Sequence, residues 1–167
     1  TAGRARSVTS VPVLIGTAYH GWASARGLAV GNNAGIVDDP DGDDSPNFEE
    51  FAHDSDPLSG SDSGKKRAAI ESIEGASYFT YTFPVRNGAV FTGATALSAM
   101  VDGVTYTISS SRNLPDFDES LVEITPVITT DLPSLNDGWS YRTFRMSQSI
   151  TELSIGFIRV ATAPSSA

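Results

Sequence analysis

The sequence predicts a mainly β fold, an antiparallel β-sandwich, preceded by a small unit in which two short helices flank an acidic loop. From residue 67 onward, alternating apolar and polar runs are separated by Pro, Gly, Asn and Asp, as in antiparallel strands and their turns. Before residue 67, apolar residues recur instead at helical spacing over two short stretches. We therefore predict an extended segment over residues 1–16, a helix–loop–helix unit over 17–64 and a sandwich over 65–167.

The first part contains an extended apolar segment. Within residues 8–15, V-T-S-V-P-V-L-I, apolar side chains alternate as they do in strands. Pro12 has no N–H to donate, so the segment is predicted to lie at a sheet edge. It is either an edge strand of the chain's own sheet or a strand given to a neighbouring molecule. In the second case the assembly contact is made by Val8, Val11, Val13 and Ile15.

The first helix is predicted over residues 17–27. Tyr19 and Trp22 share one face at helical spacing, which favours core packing over a sugar-stacking pair. Gly27 ends the helix, and Leu28 stands where a capping hydrophobic residue belongs.

The second helix is predicted to take Ser45 as its N-cap and Pro46 as its first residue. It carries Phe48 and Phe51 on one face, turns its two glutamates toward the acidic loop and ends near His53. We expect the two helices to pack their aromatic side chains together, which would couple ion binding to core formation.

The acidic loop, residues 39–50, has the sequence D-P-D-G-D-D-S-P-N-F-E-E. Oxygen-bearing side chains stand at loop positions 1, 3, 5, 7, 9 and 12, namely Asp39, Asp41, Asp43, Ser45, Asn47 and Glu50. This is the spacing of a calcium loop, in which a hard cation takes six to eight oxygens. Position 6, normally glycine, is Asp44, a residue type that tolerates the left-handed conformation. The loop therefore predicts a Ca2+ site.

Charge is concentrated around this loop. The ten acidic residues between positions 38 and 62 face no Lys or Arg in that window, so the net charge of -9 originates there. Acidic runs are most often solvated surface loops, and the ligand spacing is what favours calcium. Asp38, Asp54 and Asp56 are candidates for additional ligands, although a solvated turn explains the last two equally well.

The sandwich strands are predicted over residues 76–84, 101–111, 120–128, 139–146 and 153–160, with a turn at 86–88. Residues 89–100 are apolar and fit either a strand pair or a short helix. 

Several function classes find little support. Without cysteine the chain has no disulfide and no thiolate metal site. His20 and His53 lie far from any triad-like arrangement, and Asp116, Asp118 and Glu119 fit a solvated loop better than a glycosidase pair, so we predict no enzyme. The acidity argues against nucleic acid, and no apolar run would span a membrane. The start at Thr1 is typical of a processed or trimmed N-terminus.

These parts, in this order, resemble the C-terminal modules of secreted surface proteins of Verrucomicrobia and Planctomycetes. The resemblance covers residues 17–162 and is carried by W-A-S-A-R-G-L at 22–28, the acidic loop, D-P at 56–57, V-T-Y-T-I-S-S-S-R-N-L at 104–114 and F-I-R-V at 157–160. The loop is similar to those of dockerin and thrombospondin type 3 repeats, with Asp44 for Gly and Phe51 for Tyr. The resemblance implies an exported, calcium-binding, non-catalytic module.

Two functions follow as expectations. The first is an extracellular structural subunit that polymerises with copies of itself into a filament, tube or surface layer stabilised by calcium. The second is a monomeric secreted module that binds carbohydrate, such as a surface glycan, or another protein through exposed aromatics such as Tyr78, Trp139 or Tyr141.

Overall fold

The predicted β-sandwich is confirmed. The computed structural model describes residues 16–61, 65–153 and 155–165, so the predicted strand over residues 8–15 lies outside the described part. Two four-stranded antiparallel sheets, with strand orders β1-β2-β7-β6 and β3-β4-β5-β8, face each other. The strands are β1 Arg67–Ile73, β2 Ala76–Arg86, β3 Thr92–Gly93, β4 Leu97–Val101, β5 Val104–Ser111, β6 Leu121–Ile124, β7 Trp139–Met146 and β8 Phe157–Pro164.

The core lies between the inner faces of the two sheets. Phe83 of β2 stacks on Phe144 of β7 with ring centroids 5.7 Å apart, and both are fully buried. Tyr106 and Ile108 of β5 close the core from the opposite sheet, and both are also fully buried. Alternation in these strands therefore places the large apolar side chains inside, as a sandwich requires.

Several strand boundaries differ from the prediction, and strand β1 was not among the predicted strands. The strand predicted over 101–111 is two strands, β4 and β5, joined by Asp102 and Gly103, whose φ angles of 52° and 82° suit a tight hairpin turn. The undecided stretch 89–100 holds β3 and the start of β4, a strand pair. Strand β6 ends two residues before Pro126, which has no N–H for a ladder. Strand β8 begins four residues later than predicted.

The first helix, α1, covers Thr17–Ala25. The chain leaves it through Gly27, whose φ is 81°. The Leu28 N–H then donates to the Ala23 carbonyl at 2.9 Å, and buried Leu28 seals the helix end as predicted.

The second helix, α2, covers Asn47–His53, one residue shorter at its start than predicted. Pro46, not Ser45, is its N-cap, because the Pro46 carbonyl accepts the first helical N–H groups, those of Glu49 at 2.8 Å and Glu50 at 3.2 Å. Neither described helix has the length and apolar content that a membrane crossing requires.

The two helices pack their aromatic side chains together, as predicted. The rings of Tyr19 and Trp22 in α1 each lie 5.5 Å from the ring of Phe51 in α2. Phe51 is fully buried, and Phe48 nearly so. This cluster is a second small core that lies beside the sandwich.

Side chains of the sandwich hold the last turn of α2. The Trp139 indole N–H donates to the Phe51 carbonyl at 2.9 Å, and the Tyr106 hydroxyl donates to the Ala52 carbonyl at 2.7 Å. The His53 ring nitrogen Nδ1 donates to the Pro84 carbonyl at 3.0 Å. The last carbonyls of a helix have no partner within it, so these bonds fix the helix end against the sheets.

Asp54, the residue after α2, joins three further segments of the chain. Its carboxylate is fully buried and lies 3.2 Å from the Lys65 ammonium and 3.8 Å from the Arg26 guanidinium. It also accepts two 2.9 Å hydrogen bonds from the backbone and side-chain N–H groups of Asn136. A buried carboxylate is tolerated only when it is paired in this way.

We expect Asp54→Asn to destabilise the protein by about 3 kcal/mol, because the substitution removes the buried negative charge that pairs with the Lys65 ammonium and the Arg26 guanidinium. Urea denaturation measures the change. Asp131→Asn is the matched control, since Asp131 is exposed and has a similar left-handed φ of 61°. That control should shift stability by less than about 0.5 kcal/mol. Equal losses in the two variants would contradict the role given to the buried charge.

Candidate metal centre

Three predicted ligands of the acidic loop converge in space. One carboxylate oxygen from each of Asp39, Asp41 and Asp43 lies within 4.8 Å of the other two. Oxygens that share one calcium ion lie about 2.3–2.6 Å from it, so they are at most about 5 Å apart. The three aspartates therefore have the spacing that a single ion requires.

Backbone N–H groups orient these carboxylates. Asp39 accepts the N–H groups of Gly42 at 2.9 Å and Asp44 at 3.0 Å. Asp41 accepts the Asp43 N–H at 3.3 Å, and Asp43 accepts the Ser45 N–H at 2.8 Å. A carboxylate has about four acceptor sites, so each aspartate keeps capacity for a cation.

The turn inside the loop needs left-handed backbone at two positions. Gly42 has a φ of 75°, and Asp44, at position 6, has a φ of 69°. Aspartate is one of the few residues other than glycine that adopt this conformation readily. Asp44 therefore takes the backbone conformation that glycine usually supplies at position 6.

Glu50, at loop position 12, is buried and without a hydrogen-bond partner at one oxygen. The residue is 1% exposed, and its Oε2 atom has no partner among the described residues. Burial first, and then the charges of Asp41, Asp43 and Asp39, together raise the pKa of Glu50 to about 8. Burial also raises the pKa of Asp41. Glu50 lies outside the group of three aspartate oxygens within 4.8 Å of one another, but near enough for the charges of these aspartates to act on its pKa.

Asn47 and Asp41 each have a buried side-chain oxygen that lacks a hydrogen-bond partner among the described residues. The Asn47 side-chain amide donates to the carbonyls of Asn33 at 2.8 Å and Gly35 at 2.9 Å, which leaves its Oδ1 atom without a partner. The Oδ2 atom of Asp41 is likewise buried and unpartnered. 

Buried polar atoms are normally hydrogen-bonded, so unpartnered ones need an explanation. Among the described residues only four buried side-chain oxygens lack a partner, and three of them are at loop positions 3, 9 and 12. A set made wholly of oxygen ligands suits a hard divalent cation such as calcium.

The remaining predicted ligands lie in different surroundings. Ser45 is half-buried at position 7, where calcium loops use the backbone carbonyl, and its role stays a prediction. Asp38 turns back to accept the Gly35 N–H at 2.7 Å. Asp56 accepts the Leu58 N–H and lies 3.6 Å from Arg26. Both oxygens of Asp54 have other partners, so we leave it out of the proposed ligand set.

Gly60 touches the acidic loop, a contact that was not predicted from the sequence. A side chain at Gly60 would place its Cβ atom 2.9 Å from the Cβ of Asp43, so the chain after α2 can lie against the loop only without one. The signal in the sequence was a glycine among serines, which looks like a linker and does not indicate a contact.

Repulsion within the loop is large enough to matter. Two carboxylates at this separation repel by about 1 kcal/mol in water and by about 3–4 kcal/mol where the effective dielectric constant is near 20. The three aspartates form three such pairs, and the burial of Glu50 adds a desolvation cost. A divalent cation among them would offset these repulsions by its attraction to each carboxylate.

No family model, curated protein or solved structure matches this chain.

We expect Glu50→Gln to weaken calcium binding on the order of 100-fold, because one charged ligand contributes several kcal/mol where water is partly excluded. Isothermal titration calorimetry measures the affinity. Glu49→Gln is the matched control, since Glu49 is the exposed neighbour on the same helix and its carboxylate accepts a hydrogen bond from the Thr162 hydroxyl at 3.4 Å. Similar affinities in both variants and the unmodified protein would remove Glu50 from the site.

We also expect a specific pH dependence. Because the folded pKa of Glu50, about 8, is above its ordinary value of 4.5, its contribution to stability is complete below pH 4.5 and is lost as the pH rises through 8. Unfolding of the calcium-free protein should therefore become easier over that interval. Calcium affinity should rise about tenfold per pH unit up to about 8, since binding displaces one proton.

Calorimetry in buffers of different ionisation enthalpy counts the released protons at pH 7. Glu50→Gln removes the titrating group and should flatten both trends, whereas Glu49→Gln should keep them. A calcium affinity independent of pH between 6 and 8 in the unmodified protein would contradict the assignment.

Proposed function

We propose that this chain is an extracellular, calcium-binding structural protein, a subunit that assembles with copies of itself into a filament, tube or surface layer. The observation that carries the proposal is the set of three buried, unpartnered oxygens of Asp41, Asn47 and Glu50 beside the aspartate cluster. Extracellular calcium modules bind with dissociation constants of about 10⁻⁴–10⁻³ M, which suits a role in which the ion is structural.

The position of α2 explains how the ion would stiffen the molecule. Glu50 lies one residue before Phe51 and two before Ala52, whose carbonyls are held by Trp139 and Tyr106 of the sandwich. An ion bound to Glu50 would pull the loop onto α2 and so onto the sandwich. Calcium would in this way set the orientation of the loop surface relative to the sheets, which a repeating assembly needs.

The surroundings of His53 and of the acidic residues Asp116 and Glu119 support a non-catalytic role. Burial lowers the pKa of His53 to about 3, and its Nδ1 atom is bonded to the Pro84 carbonyl, so this ring is neutral and already engaged. Glu119 pairs with Arg112 at 2.5 Å, and Asp116 accepts the Asn113 amide at 2.8 Å. These contacts organise a surface loop.

The aromatic side chains considered for a monomeric binding module are partly covered. The guanidinium of Arg145 lies 4.1 Å from the centre of the Tyr78 ring, and that of Arg86 lies 4.1 Å from the centre of the Trp139 ring. The Tyr141 hydroxyl donates to the Pro133 carbonyl at 2.8 Å. One face of each stacked ring is therefore occupied, which supports the structural role over sugar stacking.

Electron microscopy of the full chain in millimolar calcium and in excess chelator tests the proposal. We expect polymers in calcium that shorten or vanish in chelator. Glu50→Gln in calcium should behave as the unmodified protein does in chelator, and Glu49→Gln should polymerise normally. Monodisperse particles under both conditions would contradict self-assembly and favour the carbohydrate- or protein-binding module, for which a glycan array is the next test.

A further inference from the structure

One face of the sandwich is left open beside strand β1. Ile70 pairs with Phe79 across β1 and β2, and cross-strand partners share a face of the sheet. Phe79 is on the face that carries the buried Phe83, so Ile70 points toward the core side. Ile70 is nevertheless 62% exposed, because none of the described chain covers it.

The open face is an apolar groove of about 320 Å³, which we name the β1 groove. Its floor is formed by Phe79 with the buried Met146 and Leu153, and its rim by three isoleucines that are 37–62% exposed. The lining side chains are Ile70, Phe79, Met146, Ile150, Leu153 and Ile155. A continuous exposed apolar patch of this kind marks a binding surface.

The chain itself contains a segment with the matching chemistry. Residues 8–15 lie outside the described structure and place Val11, Val13 and Ile15 at alternate positions. An extended segment inserts every second side chain into a groove beside a strand, and Pro12 is compatible with such an edge position. Among the described residues, the side chains that line the β1 groove are apolar and carry no charge that could pair with a charged ligand.

The position of Gly16, the first described residue, determines whether residues 8–15 can reach the β1 groove of the same molecule. A Cβ atom on Gly103 would lie 3.2 Å from the Gly16 nitrogen, and the Gly103 carbonyl accepts the Ser165 N–H. Gly16 is therefore beside the C-terminal end of β8. Gly156, which borders the β1 groove, lies just before the opposite end of β8. 

Strand β8 is longer than the distance from Gly16 that Val11, Val13 and Ile15, here called the apolar triplet, can span. Its eight residues separate Gly16 from the groove by about 26 Å, at 3.3 Å per residue. Measured from Gly16, full extension carries Val11 to about 18 Å and Val13 to about 11 Å, while Ile15 is adjacent. By the same measure Val8 spans about 29 Å and could reach the β1 groove of its own molecule, but Val11, Val13 and Ile15 cannot.

We infer that the β1 groove binds residues 8–15 of a second copy of this chain, so that each subunit gives a strand to one neighbour and receives one from another. This inference rests on the proposed function and names the contact that would join the subunits. A contact between two different surfaces repeats without closing unless the rotation between subunits forms a ring, and it therefore yields open polymers.

Two variants of the whole chain test separately the donated segment, residues 8–15, and the β1 groove that accepts it. Val13→Asp places a charge in the segment and keeps the groove, whereas Ile70→Asp places a charge on the groove rim and keeps the segment. Each variant alone is expected to be monomeric in calcium by light scattering. An equimolar mixture is expected to form a one-to-one dimer and nothing larger, because only one competent contact remains. 

Val90→Asp is the matched control for the groove variant, since Val90 is 73% exposed outside the groove, and it should polymerise normally. Thermal melting of each variant verifies folding. Polymers of Ile70→Asp, or a mixture of two folded variants that stays monomeric, would overturn the inference while leaving calcium-dependent assembly intact. Failure of the unmodified chain to polymerise would instead overturn the proposed function.

Discussion

The burial of Glu50 against three aspartates is the constraint on which the N-terminal half of the molecule depends. Its carboxyl is 1% exposed and lies on the helix that also carries Phe51. Repulsion from the aspartates favours moving Glu50 outward, whereas the aromatic cluster around Phe51 holds the helix in place. The loop and the small core thus oppose each other once Glu50 ionises, above about pH 8, unless a cation binds.

The contacts at the end of α2 spread this constraint to the sandwich. Trp139 and Tyr106 bind the carbonyls of the two residues that follow Glu50, and the carboxylate of Asp54, two residues further on, binds three other segments. Each of these hydrogen bonds involves a side chain whose position is fixed by a strand, a helix end or a loop. A shift of α2 would therefore break several bonds at once, which makes the helix unit and the sandwich cooperative.

The parts that could be predicted from sequence depend on local spacing. Strand β7 was predicted at its observed bounds because apolar and polar residues alternate along it with one break, at Arg142 and Thr143, and the loop ligands follow a spacing fixed within twelve residues. The turn at Asp102 and Gly103 could have been predicted, because Asp-Gly between apolar runs is a strong hairpin signal. Asp54 could not be assigned, since Asn136, which binds its carboxylate, lies 82 residues further along the chain. Long-range pairing of this kind has no period in the sequence.

Both tryptophans of the chain lie against the same ring. The ring of Phe51 is 5.5 Å from that of Trp22 and 6.2 Å from that of Trp139, and the chain has no third tryptophan. Indole fluorescence depends on the polarity and rigidity of the ring's surroundings, and Phe51 directly follows Glu50. The molecule therefore carries an optical reporter of its acidic loop: a change at Glu50 alters the emission of every indole, without any added label.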